Sequence, residues 1–189
     1  HIHLLRGNHE CRRVNRDYGF MDECRRRLGV KQYGPLYDAI SQAFNALPIA
    51  AIVGDRIFCV HGGLSPHLHS LFQLEAISRP AEIPDSGLIY DLLWTDPAEH
   101  RDLLDEEGWG HGVRACTKVF GEQVVEQFLR DHHLNLIVRS HGFAKEGYRS
   151  FSDGGLLTIF SAPNYCGGKN SGAVLLVDEV MNTRVHQFS

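Results

Sequence analysis

No stretch of the sequence approaches the run of about 18 apolar residues that a membrane-spanning helix needs, and no basic segment leading into an apolar one opens it. Neither a span nor a secretory leader is expected. The five cysteines, Cys11, Cys24, Cys59, Cys116 and Cys166, are odd in number and include no Cys-x-x-Cys pair. That spacing argues against a disulfide framework and a cysteine-held structural zinc, and it suits a reducing compartment, cytoplasmic or nuclear. Also missing is any block of like charge: 19 basic and 23 acidic residues leave a net charge of -4. The longest basic run, Arg25-Arg26-Arg27, falls where a helix is expected to end, a place that favours cations for its own reasons. A nucleic-acid surface is therefore not expected. Internal repeats and low-complexity tracts are absent. So is an initiating methionine; the chain opens at His1, a few residues before its richest motif, and reads as a piece of a longer protein.

What is present is apolar content, 43% of 189 residues, sufficient for one domain-sized core. Phe20, Cys24 and Leu28 mark one face of a helix that stops at Gly29, and Leu36, Tyr37, Ile40, Phe44 and Leu47 keep a helical period until Pro48. Residues 49–53 and 56–60 read as a hairpin around a two-residue turn, Gly54-Asp55. Short helical turns punctuated by prolines run to residue 84, then 88–94 is a short apolar stretch. Residues 99–114, with Gly108, Gly110 and Gly112, read as a surface loop. Residues 121–131 are the clearest helix; 136–140, 156–160, 173–177 and 184–188 read as strands. Cys166 is expected to be packed, and His132 is expected to be solvated.

The chemistry is concentrated where strands are expected to end. Leu4-Leu5 suits a buried strand, Gly7 lets the backbone turn where a β-carbon would obstruct it, and Asn8, His9 and Glu10 follow at once. Two other apolar runs end the same way, in His61-Gly62-Gly63 and in His141-Gly142. In an α/β sheet the carboxyl ends of strands carry ligands. If the three ends lie together, Asn8, His61 and His141 supply an amide oxygen and two imidazole nitrogens, donors that suit zinc, manganese or iron, with His9 beside them.

Leu5-Arg6-Gly7-Asn8-His9-Glu10, Val60-His61-Gly62-Gly63-Leu64-Ser65-Pro66, Leu93-Trp94-Thr95-Asp96-Pro97, Arg139-Ser140-His141 and Phe160-Ser161-Ala162-Pro163-Asn164-Tyr165-Cys166 together closely resemble the PPP family of protein serine/threonine phosphatases. The resemblance runs through the chain in the family's order. It implies an α/β fold, a metallophosphoesterase-type sandwich of two mixed β-sheets flanked by helices, incomplete at its N-terminus. Residues 1–189 would be the C-terminal two thirds of a single catalytic domain. It further implies two metal ions (manganese, iron or zinc), phosphoprotein substrates and regulatory subunits or domains. Asn8, His61 and His141 match ligands of the second metal, and His9 matches the general acid. Arg114 and Tyr165, with Asn8, match residues at the bound phosphate. Arg6 and Glu10 belong to the same motif as supporting groups that orient rather than ligate.

The sequence also departs from the family. Its motifs Gly-Asp-x-His-Gly and Gly-Asp-x-Val-Asp-Arg-Gly are absent, and with them the first metal's ligands. Ala115 stands where glycine usually follows the arginine. Val113-Arg114-x-Cys116 and Val180-Met181-Asn182 resemble the calcineurin branch while Cys166-Gly167 resembles protein phosphatase 1, so the branch stays open.

These residue types answer the demands of phosphate monoester hydrolysis, one of the slowest uncatalysed reactions in biology. Paired metals acidify a water and draw charge from phosphate oxygens. An imidazole protonates the leaving alkoxide, and a guanidinium fork grips equatorial oxygens. Two rival readings keep parts of this pattern: a phosphatase-like binding module that hydrolyses nothing, and a hydrolase of nucleotides or other small phosphoesters.

Overall fold

The computed structural model describes residues 1–113 and 116–189. Residues 1–6 carry no regular structure. Helices α1 (Arg12–Asp17), α2 (Phe20–Leu28) and α3 (Tyr33–Ala46) come first, then strands β1 (Ala50–Val53) and β2 (Ile57–Val60). Helices α4 (Phe72–Glu75) and α5 (Leu88–Trp94), strands β3 (Asp96–Pro97), β4 (Trp109–His111) and β5 (Lys118–Phe120), and helix α6 (Glu122–Asp131) form the middle. Strands β6 (Leu136–Arg139), β7 (Tyr148–Phe151), β8 (Leu156–Ile159), β9 (Gly172–Val177) and β10 (Thr183–Phe188) complete the order.

The two larger sheets are mixed, the two-stranded one is antiparallel, and helices flank them, the α/β class the sequence implies. The main sheet has five strands in the order β1-β2-β6-β8-β7; smaller ones are β3-β5-β4 and β10-β9. Within the main sheet β2, β6 and β8 are parallel, with Cys59 opposite Val138 and Val138 opposite Leu157. Parallel strands bury both faces and so read as continuous apolar runs, as 57–60 and 136–138 do. Helix α6 lies on this sheet because Val125 and Phe128 share one of its faces; the Phe128 ring sits 5.1 Å from that of Phe58. Phe58, Leu92, Leu93, Phe120, Val125, Ile137 and Leu156 make a core with almost no solvent contact. At ~25 cal/mol per Å² of apolar surface, each large side chain there contributes about 1.5–3 kcal/mol.

Several local expectations are corrected. Leu4-Leu5 is not a buried strand: Leu4 is exposed, and the backbone N–H of Arg6 donates to Pro48 O at 2.8 Å without a ladder forming. A strand needs a neighbour, and among the described residues none runs beside this segment. The hairpin turn is longer by one residue, because Val53 pairs with Ile57. Gly54 and Asp55 both take positive φ, which brings Arg56 into the loop. The expected loop at 99–114 contains β4, which pairs antiparallel with β5, Trp109 opposite Phe120. Strand β7 was hidden by its short, largely exposed sequence. Cys166 is exposed rather than packed, on a turn where its own φ is 52°. His132 is half-buried with its ring 4.6 Å from that of Phe128, and burial lowers its pKa.

Candidate metal centre

Because β2, β6 and β8 run parallel, the segments that follow them leave the sheet at one edge. His61 follows β2 directly, and His141 stands two residues beyond β6. The N–H of Ser140 donates to the carbonyl of His61 at 3.0 Å, which ties the two ends together. Their imidazole centroids are 5.3 Å apart. Asn8 arrives from the other end of the sequence: its Oδ1 lies 2.8 Å from His61 Nε2, and the residue is buried.

A clamp at the start of the chain holds Asn8 there. Arg6 is buried, and its Nε donates to Glu10 O at 2.9 Å, one Nη to Ala81 O at 2.5 Å and the other to Asn45 Oδ1 at 2.6 Å. One guanidinium therefore joins the motif turn, the end of α3 and the segment before α5. The Glu10 carboxylate folds back to accept the N–H of Gly7 at 2.9 Å. A β-carbon on Gly7 would lie 2.5 Å from that carboxylate and 3.2 Å from the His61 ring, so a side chain here would push the Glu10 carboxylate off the Gly7 N–H and crowd His61. Tyr37 braces the next layer: its hydroxyl donates to Arg12 O or Asn15 Oδ1, at 2.9 and 2.5 Å.

Burial, followed by the neighbouring charges of His141, Arg139 and His9, lowers the His61 pKa from 6.5 to about 3. The ring is thus neutral at physiological pH, the form that binds metals. An amide oxygen 2.8 Å from one imidazole, with a second imidazole centred 5.3 Å from the first, is a donor set that could hold one borderline divalent ion. Among the described residues no group of three or more His, Cys, Asp and Glu could hold a metal, so this set depends on its amide.

The other sequence-predicted residues are distributed around this point. His9 is exposed, its ring 4.7 Å from that of Tyr18 at the end of α1. Tyr165 is half-exposed on the turn after β8, edge-on to Phe160 at 5.2 Å. Arg114 lies outside the described residues.

Two residues at this edge lie in motifs quoted from the sequence but were given no role there. Arg139, the last of β6, has a wholly buried side chain that donates to Gly62 O, to Thr95 O at 3.0 Å and to Asp96 Oδ1 at 2.6 Å. The other oxygen of Asp96 lies 3.7 Å from His141 Nε2. The available signal was an arginine closing an otherwise apolar strand, where burial demands a counter-charge. Asp91, outside those motifs, is buried on α5 and accepts the Ser65 hydroxyl at 2.7 Å, fixing the loop beyond His61. No helix among the described residues is long and apolar enough to cross a membrane.

A family model described as calcineurin-like phosphoesterase matches residues 1–142, a span that contains Asn8, His9, His61 and His141. Among solved structures, that of a protein serine/threonine phosphatase from Saccharomyces cerevisiae, with similarity to human phosphatase PP5, is 32% identical and aligns at a TM-score of 0.84. The alignment covers 98% of this chain and 59% of that one.

Proposed function

The chain belongs to the calcineurin-like phosphoesterase family, and from that premise we propose that the full-length protein hydrolyses phosphoserine and phosphothreonine esters on proteins. Water attacks phosphorus directly, and no covalent enzyme intermediate forms. The observation that carries this reading is the convergence of Asn8 on His61, 2.8 Å apart, beside His141 at the end of a parallel strand.

Bound metal, with manganese, iron and zinc as candidates, would acidify the attacking water and withdraw charge from the phosphate oxygens. Asn8, His61 and His141 hold one of two ions; the ligands of the other are assigned to residues outside this chain. Asn8 also faces the phosphate, which Arg114 and Tyr165 help to grip. His9 carries the proton delivered to the serine or threonine oxygen as it leaves. Its exposure suits contact with a substrate, and the Tyr18 ring limits its rotation. Arg6 and Glu10 touch no reacting atom; they keep the Asn8 amide on target.

Protein substrates are favoured by the protein phosphatase among the structural relatives. Regulatory subunits or domains are the partners this reading anticipates. The test is turnover of a phosphoserine peptide by the full-length protein with manganese, against Asn8→Ala and His9→Ala. Loss in both variants is expected. Undiminished hydrolysis by Asn8→Ala would end the proposal, and faster turnover of a dinucleotide than of the peptide would transfer it to small phosphoesters.

A further inference from the structure

We infer that Asp96 is the positioning residue for His141, and that it selects the ring nitrogen which His141 offers to the metal. The inference rests on the reading of Asn8, His61 and His141 as ligands. Asp96 opens β3, immediately after Thr95 and the end of α5. Its two carboxylate oxygens have different tasks. Oδ1 accepts from Arg139 at 2.6 Å, while Oδ2 lies 3.7 Å from His141 Nε2, just beyond hydrogen-bond distance.

The carboxylate is partly exposed, and it is tied to a counter-ion that is not. The Arg139 side chain is fully buried and anchored on two backbone carbonyls, Gly62 O beyond β2 and Thr95 O beyond α5. The loop of His141 closes tightly over this pair: a β-carbon on Gly142 would lie 2.7 Å from an Arg139 Nη and 3.7 Å from Asp96 Oδ1. His141 itself takes a φ of 60°, a left-handed conformation unusual for a non-glycine residue, and only 5% of its side chain is exposed. The Trp94 ring stands edge-on to it at 5.6 Å. Backbone, tryptophan and carboxylate thus restrict one imidazole from three sides.

A carboxylate beside one ring nitrogen favours the tautomer protonated there and leaves the other nitrogen as the ligand, more basic than before. Asp96 therefore holds the proton on Nε2 and directs Nδ1 to the ion.

The test uses the full-length protein and manganese(II) alone. Calorimetric titration compares wild type with Asp96→Asn, which keeps an acceptor for Arg139 but turns an N–H toward His141; thermal melts check that the variant is folded. A loss of about 10- to 100-fold in manganese affinity is expected. Nitrogen-15 correlation spectra of wild-type protein, which need no variant, should show His141 protonated at Nε2, and Asp96→Asn should lose that preference. Wild-type His141 protonated at Nδ1, or unchanged manganese affinity in Asp96→Asn, overturns the inference alone. A variant that loses turnover but keeps both metal affinity and tautomer also overturns it, because Asp96 would then act on substrate. Wild-type protein that binds no manganese overturns the ligand reading and this inference with it.

Discussion

His9 and His61 both neighbour Asn8 but sit in opposite surroundings. His9 keeps its ring in solvent; His61 is half-buried, and its lowered pKa of about 3 leaves it neutral. For His9→Asn, kcat on a phosphoserine peptide should fall by about 10²- to 10⁴-fold, with a much smaller loss on p-nitrophenyl phosphate, whose leaving group needs no proton. Equal losses on both substrates would show that His9 is not the proton donor. For His61 the folded pKa of about 3 lies below the ordinary 6.5. Between those values the unfolded chain binds the extra proton, so stability is complete above 6.5 and is lost as pH falls toward 3. Buried Asp91 has the opposite tendency, its pKa raised by burial. The two are separated by denaturing wild type and His61→Gln in urea with a chelator present. The wild type should lose stability relative to the variant by up to about 1.4 kcal/mol per pH unit below 6.5.

The elements bring these residues together through close backbone approaches. At Gly62 a β-carbon would lie 2.5 Å from Leu93 C and Trp94 N, so β2 meets the end of α5 only because position 62 has no side chain. The Gly62 N–H also donates to Leu92 O at 2.8 Å. Gly62→Ala is expected to cost about 1–3 kcal/mol, as overpacking does, and to displace Arg139, whose Nε donates to that residue's carbonyl. A lower melting midpoint with weakened manganese binding is the expected result; an unchanged melt would show that the two elements can part without cost. Phe58→Ala, beneath the site, should cost about 3–5 kcal/mol in urea unfolding and leave the ligand geometry as it is. The long elements were legible for good reason. Periodic apolar residues bounded by Gly29, Pro48 and Gly121 mark α2, α3 and α6 without reference to the rest of the chain. The short strands β4 and β7 have no such periodicity, and only a partner strand makes them strands.

At the scale of the molecule, much apolar surface faces water: Ile2, Leu4, Val174, Leu176 and Val180 are exposed. A cavity of about 260 Å³ opens beside His61 and Arg139, lined by Leu5, Cys59, Val138 and Ile159. Surfaces of this kind attract other apolar groups. Expressed alone, the 189-residue chain is expected to bind an apolar dye, to melt without cooperativity and to turn over phosphopeptide poorly compared with the full-length protein. A sharp melting transition together with full turnover would contradict this.

The sequence by itself determined that His61 and His141 follow apolar strands and which family the motifs resemble, because ligand type, glycine turns and the preceding apolar run are all local; the strand expected before Asn8 did not form. Only the tertiary structure decided the pairings. Asn8 meets His61 across 53 positions, and Arg139 meets Asp96 across 43. Neither partner can be named from the residues adjacent to it, because each contact depends on the parallel order of β2 and β6 and on the close approaches that glycines 7, 62 and 142 permit.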